Sequence, residues 1–237
     1  MLILLKNESS EDPYGSLPEA VFVPVLNHTF LDLPSHREFI DSAEAQNAEA
    51  VVVTSQRAVE ALGQLENANR LFDKPVFTVG PATGAKLRQL GFTDVRGEDT
   101  GNGLTLSSEI LPTVSYKKYL FFTGVIHRDI IPNTLNSMGA TVIERTVYDT
   151  APISNCVEQF NTQYTQAVKI PWIAFFSPSG VEGIVEYLKQ KPRNTFKLAA
   201  IGPTTEAYLT ENGLSPDCVA EKPTPEHLLK AINLSRS

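Results

Sequence analysis

The sequence predicts an α/β protein built on parallel sheets. Three observations carry that expectation. Short apolar runs rich in Val, Ile and Phe recur along the 237 residues, amphipathic helical patterns separate most of them, and Gly91, Gly139 and Gly213 stand just past three of those helices. Strands buried on both faces need near-continuous apolar runs. Strands alternating with helices imply parallel pairing through right-handed crossovers, and a glycine after the last helical turn is a C-terminal cap.

In chain order, strands are expected at 2–5, 20–26, 50–54, 76–79, 120–123, 141–147, 172–176 and 198–201. Helices are expected at 35–45, 58–65, 83–90, 131–138, 153–163, 181–188 and 204–211. The opening run Met1 to Leu5 is too short for the apolar part of a signal peptide and is followed by Lys6, Glu8, Glu11 and Asp12, so it reads as a first strand. No apolar run approaches the roughly 20 residues of a membrane span, and a soluble, cytoplasmic protein is expected. The composition, 42% hydrophobic and 20% charged, is that of a globular chain.

A formal charge of −7 leaves no general field that would attract nucleic acid or an anionic membrane. Any anionic ligand must therefore be held by local groups. Cys156 and Cys218 have no metal-ligand spacing and read as structural thiols of a reducing compartment. His28, His36, His127 and His227 are scattered without HExxH, and GxGxxG after a strand, GxxxxGK[ST] and GxSxG are all absent. Zinc, nucleotides and α/β-hydrolase chemistry are not expected.

The most informative stretch is Ala199-Ala-Ile-Gly202-Pro203-Thr204-Thr205, an apolar strand that stops at Gly-Pro and leads into a helix. Such a helix start presents free backbone N–H groups beside hydroxyls and suits an anion. Phe77-Thr-Val-Gly80-Pro81-Ala82-Thr83 is a close copy, and Gly80 and Gly202 are 122 residues apart. Thr54-Ser55-Gln-Arg57-Ala-Val59-Glu60 and Phe176-Ser177-Pro-Ser179-Gly-Val181-Glu182 share the same offset of 122, from Ser55 to Ser177. One offset across two motifs implies a duplicated unit.

Ligands of open α/β sheets lie beyond the carboxyl ends of the strands. The loops expected there hold Ser55, Arg57, Gly80, Thr83, Gly124, Ser177, Ser179, Gly202, Thr204 and Thr205, with few acids, bases or nucleophile pairs. That chemistry holds carboxylates or phosphates. Arg57 and Arg128 lie near helix starts, where a guanidinium can fork onto a carboxylate. Lys197 opens a strand at the opposite end and reads as structural. The pattern allows two partitions: consecutive halves cut near 111–115, or outer segments folding together around an inserted middle lobe.

The segments TSQRAVEAL (54–62), FTVGPATGAKLRQLGF (77–92), TGNGLTL (100–106), FFTGVIHRDIIPNTLNSMGATVIERTVYDT (121–150), FFSPSGVEGI (175–184), AAIGPTTEAYL (199–209) and AEKPTPEHLLKAI (220–232) together resemble the uroporphyrinogen III synthase family. The likeness runs from about Val21 onward. It implies two lobes, each a flavodoxin-like doubly wound parallel sheet flanked by helices, joined by two linker strands. Lobe one would be 1–34 with 152–237, lobe two 37–148, and the linkers 35–36 and 149–151. It also implies cyclisation of hydroxymethylbilane, a linear tetrapyrrole with eight carboxylates, to uroporphyrinogen III with inversion of the last ring and loss of water.

No metal and no cofactor take part in that chemistry, because the pyrrole nitrogens drive each step. The protein needs one proton donor for the departing hydroxyl and a cleft that fixes the chain. Tyr148, in TVYDT, matches the family's tyrosine proposed to assist that departure. Thr204 matches the threonine of its AIGPTT motif, and Ser177, Ser179 and Thr100 match its other hydroxyl positions. His127 precedes Arg128 where other members of the family vary, which bears on the role of Arg128, and the helix after Gly101-Asn-Gly103 carries no strong signature. The implied partners are the small-molecule substrate and, transiently, neighbouring pathway enzymes, with a monomer expected. The rival expectation is a two-lobed anion-binding module without turnover.

Overall fold

The computed structural model describes residues 1–9 and 12–235; residues 10, 11, 236 and 237, counted above with the first lobe, lie outside the described residues. The strands are β1 (Leu2–Leu5), β2 (Ala20–Val23), β3 (Leu26–Phe30), β4 (Ala50–Val53), β5 (Val76–Phe77), β6 (Val95–Arg96), β7 (Lys118–Gly124), β8 (Thr141–Pro152), β9 (Trp172–Phe175), β10 (Lys197–Ile201) and β11 (Cys218–Ala220). The α-helices are α1 (Leu33–Asp41), α2 (Ala43–Gln46), α3 (Gln56–Gly63), α4 (Pro81–Leu90), α5 (Gly103–Thr105), α6 (Ile130–Ser137), α7 (Cys156–Gln166), α8 (Glu182–Lys189), α9 (Pro203–Glu211) and α10 (Pro225–Leu234).

The chain divides into two compact units, 1–27 with 151–237 and 28–150. It passes between them within β3 and within β8. Residues 28–34, assigned above to the first lobe, belong to the second unit, where the Leu31 N–H donates to the Val147 carbonyl at 3.0 Å.

In the first unit the sheet order is β11-β10-β9-β1-β2, and its strand pairs are parallel. Counted along the chain this is 2-1-3-4-5, the flavodoxin order. Alternation decides its two faces: Ile3 and Leu5 join Ile173, Phe175, Leu198 and Ala200 on one side, while Leu2 and Leu4 join Ala174, Ala199 and Ala220 on the other.

The second unit has the order β3-β8-β7-β4-β5-β6, with β8 through β6 parallel. Counting from β4, this is 3-2-1-4-5, the other doubly wound order. Val51, Val53, Leu120 and Phe122 pack on one face, and Ala50, Val52, Tyr119 and Phe121 on the other.

Differences from the expected elements have local causes. The strand expected at 20–26 breaks at Pro24, which lacks an N–H, into β2 and β3. The helix expected at 35–45 divides at Ser42, whose extended backbone (φ −68°, ψ 151°) caps α2 through Ala45 N. Two- and three-residue edge strands, β6 and β11, carry too little pattern to be read from sequence. Helix α10, capped by Thr224, was missed although Pro225 stands at its start.

Candidate active site

The residues named from sequence gather at the carboxyl ends of strands, each within its own unit. In the second unit the winding reverses between β4 and β7, the switch point where open sheets leave a crevice. A cavity of about 260 Å³ lies there, lined by Thr54 and Ser55 after β4, Val79 after β5, Phe121 and Thr123 of β7, Arg128 and Ile131 beyond it, and Tyr148 of β8.

Tyr148 reaches this cavity because of a bulge. Thr123 pairs with Thr146, but Gly124 pairs with Tyr148, so two residues of β8 pass for one of β7 and the strand is re-aimed. The phenol then lies directly on Gly124. A Cβ built there would stand 2.6 Å from Tyr148 Cζ and 2.9 Å from its hydroxyl. Gly124 is thus a seat for the tyrosine, which the reading of it as a ligand contact had not anticipated.

Ser55 caps α3, its Oγ accepting from Arg57 N at 3.1 Å, and the residue lines the cavity. Arg57 does not line the cavity. It turns along α3 to Glu60 (Nη1–Oε2 2.6 Å), which Lys86 also reaches. Burial works to raise the Glu60 carboxyl, but hydrogen bonds from Lys86 and Arg57 outweigh it and hold the group below the usual range. Arg128 is exposed at the cavity, and among the described residues no ion pair engages it. The Thr100 hydroxyl is spent locally, donating to the Gly97 carbonyl at 2.7 Å.

The Gly-Pro helix starts repeat in backbone detail. Gly80 and Gly202 both have φ 77°, with ψ 137° and 168°, a conformation only glycine adopts freely, and each is followed by Pro at the first helical position. The N–H groups of Thr204 and Thr205 face no carbonyl of the preceding turn of α9. Thr205 itself is 2% exposed and Thr83 is 6% exposed, so the threonine common to both copies is buried. Thr204 is exposed and occupies the place of Ala82 in the other copy.

Beside Gly202 in the first unit, Ser177 and Ser179 follow β9. Unlike Ser55, neither caps a helix: α8 begins only at Glu182, after Gly180 turns the chain at φ 78° against the Val25 carbonyl and Leu26. Their hydroxyls make one long contact, Ser177 Oγ to Ser179 O at 3.5 Å.

Sequence reasoning missed the apolar rim of the cavity. Leu104 is 63% exposed and Ile126 82% exposed, both at its mouth. Exposed large apolar residues in loops that follow strands were the available signal. Burial raises the Cys156 thiol, and burial with nearby Asp217 pushes Cys218 up to about 11, which disfavours the thiolate at both. Among the described residues no helix is long and apolar enough to cross a membrane.

A family model described as Uroporphyrinogen-III synthase HemD matches residues 18–230. The chain belongs to the uroporphyrinogen-III synthase family. It is 35% identical to the uroporphyrinogen-III synthase of Saccharomyces cerevisiae, covering 98% of this chain and 95% of that one. It is 34% identical to the enzyme of that name from Schizosaccharomyces pombe, covering 97% and 95%. The fold matches the crystal structure of uroporphyrinogen-III synthetase from Helicobacter pylori with a TM-score of 0.70 at 17% identity, over 100% of this chain and 99% of that one.

Proposed function

We propose that the protein is a cyclising lyase that converts hydroxymethylbilane to uroporphyrinogen III. One observation carries this beyond the family likeness: a phenol seated on a bare glycine, in a switch-point cavity with an apolar rim and a guanidinium that no ion pair engages among the described residues. A tetrapyrrole needs those three surfaces, since its rings are apolar, its edges are carboxylates and its terminal hydroxyl must be protonated to leave.

Pockets that enclose drug-sized ligands measure about 300–1,000 Å³. At about 260 Å³ the cavity takes part of a tetrapyrrole, and the reaction assigns it the reacting end. Tyr148 donates a proton and the hydroxyl departs as water, leaving a cation delocalised over the pyrrole nitrogen. Attack by the substituted carbon of the last ring gives a spiro intermediate, whose fragmentation and reclosure invert that ring. The proton released as the ring rearomatises restores the phenol.

Arg128, the Ser55 hydroxyl, and in the first unit Thr204, Ser177, Ser179 and the N–H groups of α9 are the carboxylate donors in this reading. A helix-start N–H array contributes about 0.3–1 kcal/mol to an anion at an exposed site, so several act together on a chain of eight carboxylates. Binding weakens with salt, less steeply than at a site of many lysines. The reading carries with it a cytoplasmic monomer that works on a diffusing substrate without a cofactor.

The test is isomer analysis. Hydroxymethylbilane generated enzymatically is mixed with the protein, oxidised, and the porphyrins resolved. Isomer III in large excess is expected, whereas isomer I alone, the uncatalysed product, overturns the reading in favour of a binding module.

A further inference from the structure

The turn that follows β7 has little apolar anchorage, since Val125 is 51% exposed and Ile126 more so. Hydrogen bonds close it instead. Val125 N donates to the Tyr148 carbonyl at 3.0 Å, and His127 Nδ1 lies 3.0 Å from the Gly124 carbonyl. A carbonyl only accepts, so Nδ1 is the donor. The other ring nitrogen, Nε2, lies 3.0 Å from Glu144 Oε2 and 3.6 Å from Asp129 Oδ1. Phe121 meets the ring edge-on at 5.8 Å.

His127 therefore bridges two strands, holding the last carbonyl of β7 on one side and a carboxylate of β8 on the other. Gly124 is the residue on which the Tyr148 phenol rests. The height of its α-carbon sets where the hydroxyl points, and the His127 bond fixes the peptide that follows that α-carbon.

We propose that His127 is a positioning residue for Tyr148, acting through the Gly124 carbonyl, a role that rests on the synthase reading above. His127 also borders the cavity, but both its ring nitrogens are turned to protein partners, the Gly124 carbonyl and Glu144 Oε2. It locks the bulged end of β7 so that the phenol meets the departing hydroxyl in one orientation.

Two variants separate this role from a merely structural one. Asn places its amide nitrogen where Nδ1 stands, and Gln places its own where Nε2 stands. His127→Asn keeps the bond to Gly124, whereas His127→Gln keeps only the one to Glu144. Since the ring is 25% exposed, neither change opens a core. His127→Gln should lower kcat about tenfold with KM within twofold, less than the ~10²-fold that a misplacement of 1 Å costs, and His127→Asn should restore most of the loss.

The second readout is independent of turnover. With 3-fluorotyrosine in place of the seven tyrosines, and the Tyr148 signal assigned by Tyr148→Phe, that fluorine resonance should shift or broaden in His127→Gln and return towards its original position in His127→Asn. Unchanged kcat and an unchanged fluorine signal in His127→Gln overturn the proposal. A raised KM at constant kcat overturns it too, making His127 a substrate contact. If the unmodified protein yields only isomer I, the synthase reading fails, and the contrast between the two fluorine spectra still decides whether His127 sets the phenol.

Discussion

Gly124→Ala tests the seat of Tyr148 most directly. The added methyl carbon would lie 2.6, 2.8 and 2.9 Å from Cζ, Cε2 and the hydroxyl of the phenol, whereas carbon atoms rest about 3.5–4.0 Å apart. The ring must retreat by about 1 Å. It is only partly buried and borders the cavity, so it can swing outward and the cost in stability stays near the low end of overpacking, about 1 kcal/mol. Displacing a proton donor by 1 Å lowers turnover about 10²-fold. Steady-state assays by porphyrin isomer separation should then show kcat falling by that order, with thermal unfolding shifted by only a few degrees. The double variant with Tyr148→Phe decides the mechanism: if Gly124 acts through Tyr148, the pair is no slower than Tyr148→Phe alone. Multiplying losses, or an unchanged kcat in Gly124→Ala, would refute the reasoning.

Tyr148→Phe should lower kcat about 10²-fold or more, as loss of a general acid does, with a melting temperature close to that of the parent. Thr204→Ala and Thr205→Ala should part company: the first raises KM because its hydroxyl is exposed, while the second leaves KM alone and costs about 1 kcal/mol in urea unfolding because its side chain is buried. His36 gives the pH dependence. Burial, then the nearby Arg145 guanidinium, hold its imidazole below the ordinary value of 6.5, with Nε2 on the Thr146 carbonyl at 3.0 Å and Nδ1 accepting from Arg145 at 3.1 Å. Its folded form resists a proton that the unfolded chain accepts. Stability is therefore complete above about pH 6.5 and falls as the pH drops below it, by at most about 1.4 kcal/mol per pH unit for each such group. His28 is shifted the same way, first by burial and then by Arg57. Urea midpoints at pH 7.5 and 5.5 should differ, and the difference should shrink in His36→Asn.

How far the sequence could be read depended on whether a feature is local. Doubly wound sheets follow from local periodicity, and so do the Gly-Pro helix starts. Side-chain direction does not: Thr83 and Thr205 recur at the offset of 122, which made them look like ligands, yet they recur because both fill the same buried place. Thr204, which faces solvent, is the one the copies do not share. Arg57 was misleading for a similar reason, since Glu60 and Lys86, one on α3 and one on α4, decide where its charge goes. The bulge under Tyr148 was invisible because register between β7 and β8 is a property of two strands, and nothing in TVYDT alone announces it.

The duplication itself was only half legible, and the strand orders explain why. Position by position, β9, β10 and β11 of the first sheet match β4, β5 and β6 of the second, and the offset of 122 holds for the motifs that follow β9 and β10. The remaining places are filled by β1 and β2 in one unit and by β7 and β8 in the other, so the chain enters the same sheet at a different strand and no constant offset survives. Register carries the comparison to single residues. Val53 pairs with Phe122, and Phe175, its counterpart 122 residues on, pairs with Leu5. Gly124 therefore corresponds to Asn7, whose side chain donates to the Leu26 carbonyl at 2.6 Å. Thr123 corresponds to Lys6, whose ammonium is paired with Asp12 and lies over the rings of Tyr14, Phe22 and Phe176 at 5.0, 5.7 and 5.4 Å. One scaffold thus carries a bare seat for a phenol at this point in one copy and a filled, hydrogen-bonded one in the other. In the proposed reading, that difference is what lets the second unit seat Tyr148 as the proton donor, while the first contributes hydroxyl and amide donors.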